Sequence, residues 1–308
     1  MVIKMNNFKE GKEDISRVVQ SRGEKVFQVI LCIILIFLAL ICFVPFWYII
    51  CQSFSSNQAI QAGKVGLLPV GFNIESYVYV LKRAPFWKSI GMTLIRIGIG
   101  LPLNLFLMIT AAYPLSKTNG KFKGRNVYVW IFFFTMLFNG GLIPTYVLIS
   151  NLNMLDTIWA LVLPVGINVF NMLLVLSFFR QIPQELEEAA AIDGASHWTT
   201  LWKIYVPISL PVLATVTLFS LIQHWNSWFD GLIYMTTDKY PLQTYLRNII
   251  ITFNIANLSP QEQKLLASFN EDALKSAQMV IGTLPILLVY PFLQKYFVSG
   301  ITLGSVKG

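Results

Sequence analysis

Residues Arg180–Pro211 read RQIPQELEEAAAIDGASHWTTLWKIYVPISLP and form a polar island between two long apolar runs. Pro183 suits the first position of a helix, and the glutamates that follow place negative charge near the positive end of the helix dipole. Gly194 is expected to end this helix, because glycine tolerates the left-handed conformation past a helix C-terminus. The pattern therefore predicts a short helix from Pro183 to Gly194.

A second short helix is predicted directly after the first. Ser196 is a suitable N-cap, and Pro207 is expected to end the helix. Four large apolar residues follow the three-and-four spacing of a single helix face, namely Trp198, Leu201, Trp202 and Tyr205. We call residues 180–207 the elbow, since two helices joined at a glycine can present their bend to a partner.

The composition is that of a membrane protein. The chain has 308 residues, of which 55% are hydrophobic and 12% charged, whereas a soluble domain has about 25% charged residues. Apolar stretches of about 18 to 20 residues are long enough to cross the hydrocarbon layer. Charges are absent from residues 26–63, 126–154, 157–179 and 204–229. We therefore predict an all-α integral membrane protein.

The apolar runs predict about six transmembrane helices in a domain that covers residues 26–298. Their expected bounds are 26–50, 89–115, 127–150, 157–179, 208–234 and 276–293. Short basic segments favour the cytoplasmic side, and the loop with Lys117, Lys121, Lys123 and Arg125 has no acid. The elbow and the tails 1–25 and 299–308 are then cytoplasmic, while the loop 238–275 lies outside.

Arg96 is a charged residue inside the second predicted span. A charge at the bilayer centre costs about 2.5 to 3.5 kcal/mol on the insertion scale. We expect Arg96 to lie near the outer end of the span and to snorkel toward water, with a position facing the protein interior as the alternative. Asp230 is expected near the outer end of the fifth span.

Uncharged polar residues also occur in the apolar runs, and their hydrogen-bonding groups would suit a sugar that crosses the membrane. The alternative is hydrogen bonding between helices. Residues of this kind include Asn104, Asn139 and His224. From polarity and position, the predicted substrate-path residues are Asn168, Asn171, Gln223, Trp225 and Asn226.

Several kinds of chemistry are not indicated. No Walker A pattern is present, so the chain is not expected to hydrolyse nucleotide by itself. No spacing of cysteines and histidines predicts a metal site, and no catalytic residue or cofactor is predicted. The net charge of +8 lies in short segments beside apolar runs, which favours membrane orientation over nucleic-acid binding.

The elbow resembles the EAA motif of ABC importer permeases. Glu188-Ala189-Ala190 is followed after three residues by Gly194, and after nine more by Ile204 and Pro207, with Val206 where the family usually has leucine. Other segments resemble the carbohydrate-uptake class and its maltose-permease G-type and polysaccharide-linked branches. They are Ala111–Ser116, Asp193-Gly194-Ala195, Trp225-Asn226 and the ending Gly300–Gly308. Arg96 does not map onto the family pattern.

The resemblance implies a type I ABC importer permease of a bacterial plasma membrane, with no enzymatic activity of its own. The implied partners are a second homologous permease, two ATPase subunits that bind ATP and Mg, an extracellular solute-binding lipoprotein, membrane lipid and a sugar. The resemblance also implies that Lys307 and Gly308 contact the ATPase dimer. The implied ATPase-coupling residues are Glu188, Ala189, Ala190, Asp193, Gly194 and Ala195.

Two other functions remain open from the sequence. The chain could be a membrane scaffold or sensor whose elbow recruits a cytoplasmic regulator, in which case it carries no solute. It could also be a secondary transporter driven by ions, although carboxylates are scarce in the apolar runs. The identity of the sugar is not predicted.

Overall fold

The computed structural model describes residues 22–118, 120–251 and 270–305, and the regular structure in these ranges is entirely helical. Short 3₁₀ turns occupy Leu163–Val165 and Thr237–Lys239, and a π-helical turn occupies Leu201–Tyr205. The α-helices are α1 (Arg22–Ser53), α2 (Asn57–Gln61), α3 (Glu75–Leu81), α4 (Ala84–Ser116), α5 (Arg125–Leu137), α6 (Leu142–Asn151), α7 (Ile158–Val162), α8 (Val169–Phe179), α9 (Gln184–Ile192), α10 (His197–Thr200), α11 (Val206–Ile208), α12 (Leu210–Asn226), α13 (Phe229–Tyr234), α14 (Leu242–Ile251) and α15 (Glu271–Ser305).

In the described ranges, α1 and α4 are each long and apolar enough to cross a membrane. Most apolar side chains of α1 are exposed on all sides of the helix, as suits contact with lipid. Three bent pairs of helices also have the length and composition of a span. If each pair is one span, the described residues contain up to five spans, including α1 and α4. Because α15 is a further long helix, the total of six stays a prediction.

The predicted third span is interrupted. Helices α5 and α6 meet at 112°, and Gly141 at the break has a φ of +91°. The predicted fourth span is bent, since α7 with its 3₁₀ turn meets α8 at 47°. The fifth is also shorter than predicted, because α12 ends at Asn226 and α13 follows a separate turn.

The predicted outer loop is not wholly irregular. Its first part folds into α14, whose residues Leu242 and Leu246 are buried, and the Leu242 N–H donates to Thr93 Oγ1 of α4 at 2.8 Å. Helix α15 starts at Glu271 and continues through Pro285 and Pro291 to Ser305, so the predicted tail is helical up to that residue. Residues 252–269 and 306–308, with the predicted contacts Lys307 and Gly308, lie outside the described residues.

The buried side chains form two main clusters at opposite ends of α4. The cluster around Phe86 and Leu161 joins the start of α4 to α3, α7, α14 and α15. The cluster around Met108 and Met172 joins the end of α4 to α8 and α12, and it includes Leu201 and Tyr205 of the elbow. The elbow is thus part of the packed helical body.

Candidate functional site

The elbow has the local structure that its sequence predicts. Helix α9 begins at Gln184 with Pro183 as its N-cap residue, one position outside the predicted first turn. Gly194 has a φ of +74°, and the Ala195 N–H donates to the Ala190 carbonyl at 2.8 Å, which closes the helix end. The Ser196 side chain accepts from the Thr199 N–H and caps the second helix. These bonds fix the bend between the two helices.

The predicted apolar face of the second helix was wrong in part. Leu201 and Tyr205 are 2% and 3% exposed, whereas Trp198 and Trp202 are 57% and 40% exposed. The spacing places the four residues in two adjacent rows, and only one row enters the core. The helix also passes through a π-helical turn and continues beyond Pro207 to Ile208, after which α12 departs at 84°.

A charged cluster, which we call the clamp, ties the elbow to the end of α4. Lys117 Nζ lies 2.9 Å from Glu187 Oε2 and donates to the Tyr205 hydroxyl at 3.0 Å. That hydroxyl donates in turn to Glu187 Oε2 at 3.1 Å. The Lys117 ammonium also lies 3.8 Å from the centroid of the Tyr113 ring, and Lys121 approaches Glu187 at 3.5 Å. The clamp consists of these five residues.

Two arginines, one from the basic loop and one from the elbow, bind carbonyl groups at the C-terminal end of α4. Arg125 donates to the Lys117 carbonyl at 2.6 Å, and Arg180 donates to the Leu115 carbonyl at 3.5 Å. The last carbonyls of a helix have no partner within it, and basic side chains there also interact favourably with the helix dipole. The loop and the elbow therefore meet on one side of the molecule, and their location in the cytoplasm stays a prediction.

Burial and the contacts within the clamp shift the pKa values of Lys117, Glu187 and Tyr205. Burial lowers the pKa of Lys117, and the hydrogen bond with Glu187 partly offsets this. Burial alone would raise the pKa of Glu187, but the hydrogen bond and charge of Lys117 and the charge of Lys121 hold it below its ordinary value of 4.5. Burial, together with Glu187, raises the pKa of Tyr205, so its hydroxyl stays protonated and able to donate.

Glu187→Gln is expected to destabilise the elbow by about 3 kcal/mol at neutral pH, because Lys117 would stay buried without its carboxylate. A carboxyl with a lowered pKa stabilises the fold above its unfolded pKa, and this contribution is lost as pH falls through the folded pKa. The difference in thermal unfolding midpoint between wild type and Glu187→Gln should therefore be constant from pH 8 to about pH 5. Glu185→Gln, an exposed change on the same helix, is the control. A difference that disappears between pH 7 and pH 6 would contradict this.

Much of the remaining surface of α9 and of its end at Gly194 is exposed, and this surface is called the open side of the elbow. Glu188 and Asp193 are exposed and form no ion pair among the described residues. Ala189 and Gly194 are exposed and Ala195 is half-buried, whereas Ala190 is buried against the body. Ile192 is 86% exposed, although sequence reasoning did not select it. An isoleucine immediately before Asp193-Gly194 at the end of a short polar helix was the available signal.

Arg96 is fully buried, so the prediction that it snorkels was wrong and the interior position is correct. Its guanidinium forms a two-point ion pair with the Asp230 carboxylate and donates to the Leu161 carbonyl at 3.3 Å. Asp230 also accepts from Ser227 Oγ at 2.7 Å. A buried charge needs both a counter-charge and hydrogen bonds, and Arg96 has both. The pair joins α4 to the first turn of α13.

His224 extends the same network. Arg96 Nε donates to His224 Nδ1 at 3.3 Å. Because a guanidinium has no acceptor, Nδ1 must accept, and His224 Nε2 is then the protonated nitrogen that donates to Asn104 Oδ1 at 2.6 Å. A Cβ at Gly100 would lie 2.7 Å from the His224 ring, so glycine permits this close approach of α4 and α12.

Asn104 explains how the break between α7 and α8 is tolerated. Its amide nitrogen donates to the carbonyls of Val165 and Gly166 at 2.7 and 2.8 Å. Backbone carbonyls freed inside a membrane must find partners within the protein. For Asn104 and His224, the alternative of hydrogen bonding between helices is therefore confirmed.

The predicted substrate-path residues do not form one site. Asn168 caps α8 through the Asn171 N–H and donates to Gln223 Oε1 at 3.3 Å. Asn171 is buried, and its amide nitrogen has no partner among the described residues. Trp225 is buried and donates to the Gly282 carbonyl at 2.9 Å. Asn226 is exposed and lines a cavity whose wall includes none of the other four. Their role in transport stays a prediction.

Residues 68–303 match the family described as the binding-protein-dependent transport system inner membrane component. The chain belongs to this family. It is 40% identical to protein LplC of Bacillus subtilis (strain 168) over 289 residues, which cover 94% of this chain and 97% of LplC. It is 37% identical to the polygalacturonan/rhamnogalacturonan transport system permease protein YtcP of the same organism, over 92% of this chain and 99% of YtcP.

A solved structure agrees with these relatives. The permease is similar to a chain of a bacterial ABC transporter involved in the import of the acidic polysaccharide alginate, with a TM-score of 0.80 and 34% identity. The match covers 90% of the permease and 98% of that chain. The resemblance of the elbow to the EAA motif of carbohydrate-class ABC importer permeases is therefore confirmed, and the all-helical fold is that of these permeases.

Proposed function

We propose that this permease forms half of the channel of an ATP-driven importer that moves an oligosaccharide into a bacterial cell. The family match and the near full-length similarity to permeases of polysaccharide transport support this proposal. In our account the chain crosses the plasma membrane six times with both termini in the cytoplasm. It pairs with a second permease and receives solute from an extracellular lipoprotein.

The observation that carries the proposal is the open side of the elbow. Ile192 is exposed at 86%, between the unpaired acids Glu188 and Asp193, on a helix that the clamp holds against α4. The small residues Ala189 and Gly194 are exposed beside it, and a small-faced helix of this kind permits the close approach that binding of a helix in a partner's groove requires. We assign this surface to one of two ATPase subunits, which bind ATP and Mg themselves.

The packing of the elbow suits transmission of force. Leu201 and Tyr205 belong to the same buried cluster as parts of α4, α8 and α12. A displacement of the elbow is therefore passed to three membrane helices through packed contacts, because closely packed interiors transmit strain. Alternating access would follow if ATP and the loaded lipoprotein bind the two orientations of the channel with different affinities. The chain itself supplies no energy source.

Reconstitution of the complete importer tests this function. Proteoliposomes with both permeases, the ATPase and sugar-loaded lipoprotein should accumulate labelled oligosaccharide with internal ATP and fail to do so with a non-hydrolysable analogue. Uptake driven by an ion gradient without ATP would instead indicate a secondary transporter. Binding of the ATPase without any solute flux would indicate a scaffold or sensor. Either result contradicts the proposal.

A further inference from the structure

A cavity of about 350 Å³ lies where the end of α12 meets α14 and α15. Its wall contains the amide side chains of Asn226, Gln243 and Gln278, together with Trp228 and the cation of Arg247. Among the described residues that line it, Arg247 is the one charged side chain, so this part of the wall carries a positive charge. The size and the few polar groups among apolar ones are those of a small-molecule site.

Arg247 is free to bind an anion. Its guanidinium carbon lies 3.6 Å from the centroid of the Trp228 ring, and it forms no ion pair among the described residues. Stacking on a ring fixes the guanidinium plane by a cation–π interaction and leaves the N–H groups at its edge available. Those groups match a carboxylate at two points. Arg96, by contrast, has its carboxylate within the chain.

Gln278 provides an independent observation that points to a ligand. Its side chain is 1% exposed, and neither its nitrogen nor its oxygen has a hydrogen-bond partner among the described residues. A buried polar group without a partner costs about 1 to 3 kcal/mol. Gln243 donates to the Gly282 carbonyl at 3.3 Å, and no described group bonds its side-chain oxygen. Amides of this kind can donate to and accept from sugar hydroxyls.

We propose that this cavity is a subsite for a carboxylated sugar unit, a uronate, in which Arg247 binds the carboxylate and the amides of Gln243 and Gln278 bind hydroxyls. Trp228 is a positioning residue that holds the guanidinium plane. The proposal rests on the proposed function, because it names the class of oligosaccharide that the importer carries. The cation of Arg247 would then discriminate between acidic and neutral sugars of the same length.

The test uses the complete importer in proteoliposomes with saturating lipoprotein. The two probes are labelled trigalacturonate and the same trisaccharide with its carboxyl groups reduced to alcohols. For Arg247→Gln, the ratio of trigalacturonate to reduced-sugar uptake is expected to fall at least tenfold, whereas Lys82→Gln, an exposed charge outside the cavity, should leave the ratio unchanged. Co-purification of all subunits confirms that each variant assembles.

Each outcome has a defined meaning. An unchanged ratio in Arg247→Gln, or wild-type uptake of the reduced sugar alone, overturns the uronate subsite while ATP-driven import stands. Uptake of neither sugar by wild type overturns the uronate subsite, whereas the proposed function is contradicted only if the sugar carried by the lipoprotein is also not taken up with ATP. Gln278→Leu gives a second measurement: it should slow uptake of both probes at normal assembly, because it removes a sugar-binding amide. Normal uptake by this variant would show that Gln278 does not bind the sugar.

Discussion

Replacing Arg96 with methionine is expected to remove most of the permease from the membrane fraction. The change leaves the Asp230 carboxylate and the Leu161 carbonyl without their buried donor. Breaking one partner of a buried ion pair costs about 3 to 5 kcal/mol, which is a large part of the stability of an ordinary domain. The measurement is the amount of permease in isolated membranes, together with its thermal unfolding midpoint in detergent.

A double variant separates loss of the pair from loss of bulk. Asp230→Asn added to Arg96→Met removes the unpaired charge and keeps an oxygen for the Ser227 hydroxyl, so it should recover much of the wild-type amount. Lys82→Met, which removes an exposed charge, is the control and should have no effect. Wild-type levels of the Arg96→Met single variant would show that the buried pair does not support the fold.

Gly194→Pro is expected to abolish solute uptake while the permease stays in the membrane. Proline fixes φ near −65°, whereas Gly194 has a φ of +74°, and it removes the N–H that donates to the Ala191 carbonyl at 3.1 Å. The bend that presents Ile192 and Glu188 would be lost. In the reconstituted importer, ATP hydrolysis should then no longer respond to sugar-loaded lipoprotein.

Gly194→Asn is the matched control for this change. A Cβ at position 194 would meet no atom within 4 Å, and asparagine tolerates the left-handed conformation better than most residues. This variant should therefore keep most of the wild-type uptake. Equal uptake by the proline and asparagine variants would mean that the bend at Gly194 is not required for coupling.

The elbow could be predicted from sequence because its signals are local. Pro183, Gly194 and Ser196 each specify a backbone conformation within a few positions, and the structure has all three at the ends of helices. Which row of the second helix enters the core was not predictable in the same way. Leu201 and Trp202 have similar apolar character, and the choice between them depends on neighbouring helices distant in sequence.

The Arg96 network shows where local reasoning failed. Arg96 and Asp230 are separated by 134 positions, and a rule for a single charge in a span favours snorkelling. The sequence shows both opposite charges in its apolar runs. Their pairing could not be predicted, because it depends on how α4 packs beside α12. The break before α8 was missed for a related reason, since Asn104 of another helix provides the donors that the break needs.

A photo-crosslink from Ile192 tests the central claim of this account most directly. A benzophenone amino acid at position 192, introduced into the permease of the assembled importer in cell membranes, should form a crosslink with an ATPase subunit. The same group at Trp159, an exposed position on α7, should not crosslink to that subunit. A position 192 that crosslinks to lipid or to other proteins, but never to the ATPase, would contradict the assignment of the elbow as the coupling surface.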